Sequence, residues 1–261
     1  MRRRIDCDRD WSKLVESSPA LGALPRQSSY GSVPGLIPFG EAFPDKLVDP
    51  ADYKQVIQFC HDRQIFPIYH QRDTWAPKGR RWYQGKLNYC WAWGATAAFK
   101  DLRAREGKPM VELAPVSLGW MVGWNNRGYY IDETLAGIAK RGIAPAECVP
   151  DPRNPDPRTF REDWQEQALN YRLGERWDTD NSRKATMIRH SISILWTGTA
   201  LEVAYNFWGH ALECCSVEWD ESVPNNLVWV LRNSHNEDDV IELTGDRAVP
   251  SEAYGLRASL T

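Results

Sequence analysis

An α+β fold is expected from the order of patterns along the 261 residues. Apolar residues recur at helical spacing through the first half of the chain, and alternating β-branched runs gather in its last third. Between them lies a proline-rich connector, VPDPRNPDPRTF (149–160). Helices first and strands later, with no βαβ alternation, point to two lobes of an α+β domain.

The elements follow in chain order. Residues 1–48 carry little periodicity, and Gly31, Pro34, Gly35, Pro38, Gly40 and Pro44 all fall within fourteen positions. That stretch reads as an extended Pro/Gly-rich arm. Asp49 or Asp52 then caps a short helix in DPADYKQVIQFCHDRQ, whose Tyr53, Val56, Ile57 and Cys60 share a face. After an irregular passage, small and apolar residues recur helically from Cys90 to about Glu106, and Gly107 ends the run. VSLGWMVGWNN (116–126) and DETLAGIAKRGIAP (132–145) read as two further helices, the second capped near Asp132 and closed at Gly142. Beyond the connector, REDWQEQALNYRL reads as helix into strand, and SISILWTGTALEV, GHALECCSVEW and NLVWVLRNS as strands.

Composition excludes several functions. A formal net charge of −3 gives no electrostatic reason to bind nucleic acid or an anionic membrane. The start, MRRRIDCDRDWSKL, has acids where a signal peptide has an apolar core. No apolar run approaches the ~18 residues of a membrane span. The expected setting is cytoplasmic or virion-associated. The six cysteines include no CxxC pair, and no histidine spacing accompanies them, so neither a metal nor a cofactor is expected. Without a secretion signal the thiols are expected free.

One stretch carries chemistry. In QGKLNYCWAWGATAAFK (84–100) a cysteine sits among large aromatics at a helix start. Alone, Cys90 reads as a buried hydrophobe. A nucleophilic thiol needs a helix dipole or cation to favour thiolate, an imidazole to carry its proton, a group to orient that imidazole, and oxyanion donors. Gln84, Cys90, His210 and Asn233 supply one candidate for each role, in that chain order.

Those segments resemble the papain-like cysteine peptidases. A glutamine six residues before Cys-Trp-Ala-aromatic is similar to the family's nucleophile segment. GHALECCSVEW is similar to its histidine strand, and LVWVLRNS to its asparagine segment. APVSLGWM and DETLAGIAKRGIAPAECVP resemble the intervening helices, so the likeness runs from about Trp75 to Leu256. It implies a papain-like domain over 49–261, with a helical lobe at about 75–150, a β-rich lobe at about 151–261 and a cleft between. It further implies Cys90 as nucleophile, His210 as acid/base, Asn233 as its orienter, Gln84 as oxyanion donor and a protein or peptide substrate. Trp91 is then expected to pack behind the cysteine helix.

The departures also carry expectations. Asn88-Tyr89 replaces the family's Gly-Ser before the nucleophile, which puts a bulky ring in the cleft. WNNRGYY (124–130) stands where the family has a Gly-Gly cleft wall. His235 replaces the tryptophan that shields the His–Asn hydrogen bond, and is expected in a surface loop. His61, His70 and His190 read as structural, and Glu237–Asp239 as an acidic solvated turn rather than a calcium site. An alternative to peptidase is a docking or structural component of a larger assembly, such as a phage virion, which keeps the fold and meets other subunits through its N-terminal arm.

Overall fold

The structure, a computed structural model, describes residues 3–16, 18, 22–70, 83–235 and 240–260. Among these, eight strands form one sheet: β1 (Arg3–Asp6), β2 (Ile37–Pro38), β3 (Arg176–Asp178), β4 (Leu201–Tyr205), β5 (His210–Trp219), β6 (Leu227–Arg232), β7 (Val240–Thr244) and β8 (Glu252–Leu256). Their order is β1-β7-β6-β5-β4-β8-β3-β2. The α-helices are α1 (Cys7–Glu16), α2 (Phe39–Ala42), α3 (Tyr53–Asp62), α4 (Cys90–Arg105), α5 (Ile131–Arg141), α6 (Trp164–Ala168) and α7 (Lys184–Trp196).

Two apolar cores define the lobes. One gathers around α4, a 3-10 stretch at Pro115–Val122 and α5. The other packs α1, α3 and α7 on the sheet, where Trp177, Trp208 and Trp229 are buried. Helix α4 lies where they meet, and its residues are buried from Cys90 through Arg103. Small side chains allow this. A Cβ on Gly94 would stand 3.2 Å from the backbone of Leu212, so α4 runs at near-contact distance along β5. That approach sets the start of α4 against the start of β5, where the Ala211 N–H faces the Cys90 thiol.

The structure departs from the sequence expectations at three elements. SISILW ends helix α7 and does not begin a strand. Ile192 and Ile194 mimic a two-residue period, but the buried Met187, His190, Ser191, Ile194 and Leu195 repeat at three and four. The segment 116–126 is a 3-10 stretch at its start, closed by Gly123 in the left-handed region (φ 61°). Residues 3–16, expected to be extended, contain β1 and α1. Strand β1 pairs parallel with β7 (Arg3↔Ile241 to Asp6↔Thr244), a partner too distant in sequence to be read locally. Between α1 and β2, residues 22–27 hold no helix or turn, and residues 29–36 turn twice, with Ser32 N–H on the Ser29 carbonyl and Leu36 N–H on the Val33 carbonyl, both at 3.1 Å.

No helix among the described residues is long and apolar enough to cross a membrane. All six cysteines are free and buried. Glu237–Asp239 and residues 75–82 lie outside the described residues.

Candidate active site

Cys90 opens α4 behind Tyr89, so the unbonded N–H groups of the first turn lie at the thiol. Those groups lower a thiol pKa when water and substrate reach it. Here burial outweighs them. The thiol is fully buried and pushed up to about 11, although backbone N–H groups of Ala211, Gly22, Trp91 and Ala23 face it and oppose the change. Two of those four donors belong to the chain's own N-terminal segment.

His210 starts β5, and Asn233 follows the last residue of β6. His210 Nε2 lies 3.0 Å from Asn233 Oδ1, in a buried contact. An amide oxygen only accepts, so Nε2 carries the proton and donates. The His235 N–H also donates to Oδ1, at 3.2 Å, which fixes the carboxamide. His210 Nδ1, left with the lone pair, is buried and has no hydrogen-bond partner among the described residues. Burial, then the neighbouring His235, push the imidazole well below the usual histidine range, against the Asn233 hydrogen bond. The pair is therefore a neutral thiol and a neutral imidazole in this state.

His235 is not the surface residue expected. It is 2% exposed and stacks on His210, with ring centroids 4.5 Å apart and an interplanar angle of 25°. Trp208 packs on His210 as well, at 4.5 Å and 54°. These rings keep the His210–Asn233 bond dry, so His235 does not open it to water.

Gln84 is buried beside Asn233. Its N–H donates to the Ser234 carbonyl at 3.0 Å, and the Ser234 hydroxyl donates to Oε1. Its Nε2 donates to the Leu87 carbonyl at 2.7 Å, leaving one amide hydrogen for another acceptor. Ser234 thus positions Gln84, a role that the Asn-Ser pattern contains but that the sequence alone does not assign. Behind the pair, buried Arg232 lies 3.3 Å from Glu213 and 3.8 Å from Asp101 of α4, anchoring the end of β6.

Tyr89 does not wall the cleft. Its ring is fully buried in the helical lobe, and its hydroxyl donates to the Asn125 carbonyl at 3.0 Å. Trp91 packs against it at 5.0 Å. Asn88 is tied to WNNRGYY instead: its N–H donates to Asn126 Oδ1 at 2.6 Å. Of the other histidines, His61 bonds the Tyr69 hydroxyl and the Val217 carbonyl, and His190 accepts from the Asp180 N–H.

The segment 22–36, here the strap, meets this site at Gly22 and Ala23. Gly22 and Ala23 N–H both donate to the Gly209 carbonyl at 3.0 Å, next to His210. Tyr129 N–H donates to Gly22 O at 2.8 Å, and Leu24 N–H to Tyr129 O at 3.1 Å, a parallel bridge centred on Ala23. A Cβ on Gly22 would fall 2.0 Å from the Asn88 carbonyl oxygen, so only glycine fits that closely. Among the described residues no group of three or more His, Cys, Asp or Glu is arranged to hold a metal ion.

No protein-family model and no curated protein matches the chain. Solved structures do. The chain resembles xylellain, a cysteine protease from Xylella fastidiosa, with TM-score 0.54 and 17% identity over 70% of this chain and 84% of that one. It resembles proCathepsin B S9 from Trypanosoma congolense with TM-score 0.61 and 13% identity, over 95% and 89%. For digestive procathepsin L 3 of Tenebrio molitor larval midgut the values are 0.55 and 12%, over 94% and 78%. At these identities the likeness is one of fold: the two-lobe α+β fold of papain-like proteases, with a helical lobe headed by Cys90 and a sheet lobe carrying His210 and Asn233.

Proposed function

We propose that the chain is a cysteine peptidase whose cleft is closed by its own strap. The observation that carries this reading is the His210 imidazole. One nitrogen is fixed on Asn233 at 3.0 Å, and the other is buried without a partner on the strand packed against the Cys90 helix. An orphaned buried acceptor costs about 1–3 kcal/mol, which a purely structural histidine has no reason to bear.

In the proposed reaction His210 Nδ1 takes the Cys90 proton as sulfur attacks the peptide carbonyl carbon. The Cys90 N–H and the Gln84 amide stabilise the oxyanion. The C–N bond breaks as His210 returns the proton to the leaving amine. Water then attacks the thioester, His210 takes its proton, and sulfur leaves to release the acid. Asn233 holds the tautomer that makes Nδ1 the base.

The test is labelling of the Gly22→Ala chain, in which the added Cβ meets the Asn88 carbonyl and lifts the strap, with an epoxysuccinyl peptide at neutral pH, read by mass spectrometry. Cys90 is expected to react ahead of the other five thiols, and Cys90→Ala to lower hydrolysis by at least about a thousandfold. Preferential labelling of another cysteine sinks the reading.

A further inference from the structure

The strap is held most firmly at Arg26, away from the thiol. Its guanidinium forms a two-pronged pair with Asp178 at the end of β3: Nη1 to Oδ1 and Nη2 to Oδ2, both 2.7 Å. The two side chains are 3% and 0% exposed. Nη1 also reaches the Thr179 carbonyl at 3.3 Å, Nη2 the Ser29 carbonyl at 3.0 Å, and Nε both the carbonyl and hydroxyl of Ser28. Every guanidinium nitrogen therefore has two acceptors.

The walls of this cup are more acidic than one arginine requires. Asp178 comes from β3, Glu252 from β8, where its carboxylate accepts the Tyr254 hydroxyl at 3.1 Å and faces the Arg26 N–H, and Asp132 from the first turn of α5, where its Oδ2 accepts from the Ser28 hydroxyl at 2.5 Å. The Tyr254 ring lies 5.4 Å from the guanidinium carbon, a flat face of the kind on which a planar cation stacks. The planar fork, which an ammonium lacks, is what matches Asp178.

The cup is also close to the thiol. Ala23 pairs with Tyr129 and faces Cys90, and Arg26 is three residues further, a backbone span of at most about 10 Å. Gln27 bonds the Tyr130 hydroxyl at 2.8 Å, so the strap stays on the Tyr129–Tyr130 wall over this distance. Building on the peptidase reading, we propose that the cup formed by Asp178, Asp132, Glu252 and Tyr254 recognises an arginine side chain of the substrate peptide, and that Arg26 is its resident stand-in.

The test separates binding from turnover. Full-length Cys90→Ala and Cys90→Ala/Arg26→Ala chains are titrated with acetyl-tetrapeptide amides carrying one arginine at each position in turn, against the same set with leucine. In the double variant an arginine peptide is expected to bind at least tenfold tighter than its leucine counterpart. The preference should be absent while Arg26 fills the cup, and lost again when Asp178→Asn is added. If Arg26→Ala does not fold, Arg26→Lys keeps the charge and is read the same way, arginine peptides displacing the weaker ammonium. Equal binding of arginine and leucine peptides overturns the inference. Hydrolysis is measured separately on Arg26→Ala with Cys90 intact. Arginine-selective binding without hydrolysis leaves the cup standing and counts against the peptidase reading, whereas unselective hydrolysis removes the cup alone.

Discussion

A glycine closes the candidate site. Gly22 has no room for a Cβ, because the Asn88 carbonyl would lie 2.0 Å away and both partners are backbone. Gly22→Ala is therefore expected to lift the strap from Cys90 without touching the thiol or the imidazole. The reactive form is the thiolate, so a thiol held near 11 reacts slowly at neutral pH. In the wild-type chain the midpoint of Cys90 alkylation by iodoacetamide should lie above that of a free thiol. In Gly22→Ala the midpoint should fall, and the rate at pH 8 should rise about tenfold for every pH unit of that fall. An unchanged profile means that something other than the strap buries the thiol. At this scale the sequence is most informative about Gln84, Cys90, His210 and Asn233, because each sits in a short local pattern. It is silent on Arg26 and Asp178, which are 152 positions apart and meet only through the strap's path. The burial of His235 is equally hidden, because it comes from stacking between elements and not from any local apolar run.

At the level of elements, the α4–β5 contact sets the geometry. The added Cβ of Gly94→Ala meets the Leu212 backbone at 3.2 Å, a tight but small intrusion. Alanine's helix propensity gain of about 1 kcal/mol offsets it, so the expected change in stability is near zero. Gly94→Val adds two branches against a strand that cannot retreat, and is expected to cost about 1–3 kcal/mol. Because α4 would move off β5, activity should fall further than stability does, measured by comparing kcat/KM with the thermal midpoint. Equal losses would mean that the helix does not set the Cys90–His210 approach. Helix α4 is readable because its small and apolar residues run long enough to show a period. Helix α7 is not, since Ile192 and Ile194 alternate like a strand, and β1 is not, since four residues acquire meaning only beside β7.

Across the whole molecule, β1 and β2 are the two edge strands of the eight-stranded sheet. Of the described chain between them, residues 7–16 leave one edge, Gly22 and Ala23 lie at Cys90, and residues 24–36 lead to the other. Both ends of that stretch are anchored. Cys7 and Leu14 of α1 are buried in the sheet core, and the Asp8 carboxylate accepts the N–H groups of Asp246 and Arg247 at 2.7 and 2.9 Å. On the far side β2 pairs with β3. A single cut within residues 31–35 thus gives a nicked heterodimer whose short fragment stays in the parent sheet and is not shed as a leader. The expected signature is two bands under denaturing conditions and one species by native mass spectrometry. Loss of the small fragment from the folded protein would show that β1 and α1 do not hold it. Such a cut would then resemble the opening of a hinged clasp, with the severed half still fastened to the body it had covered.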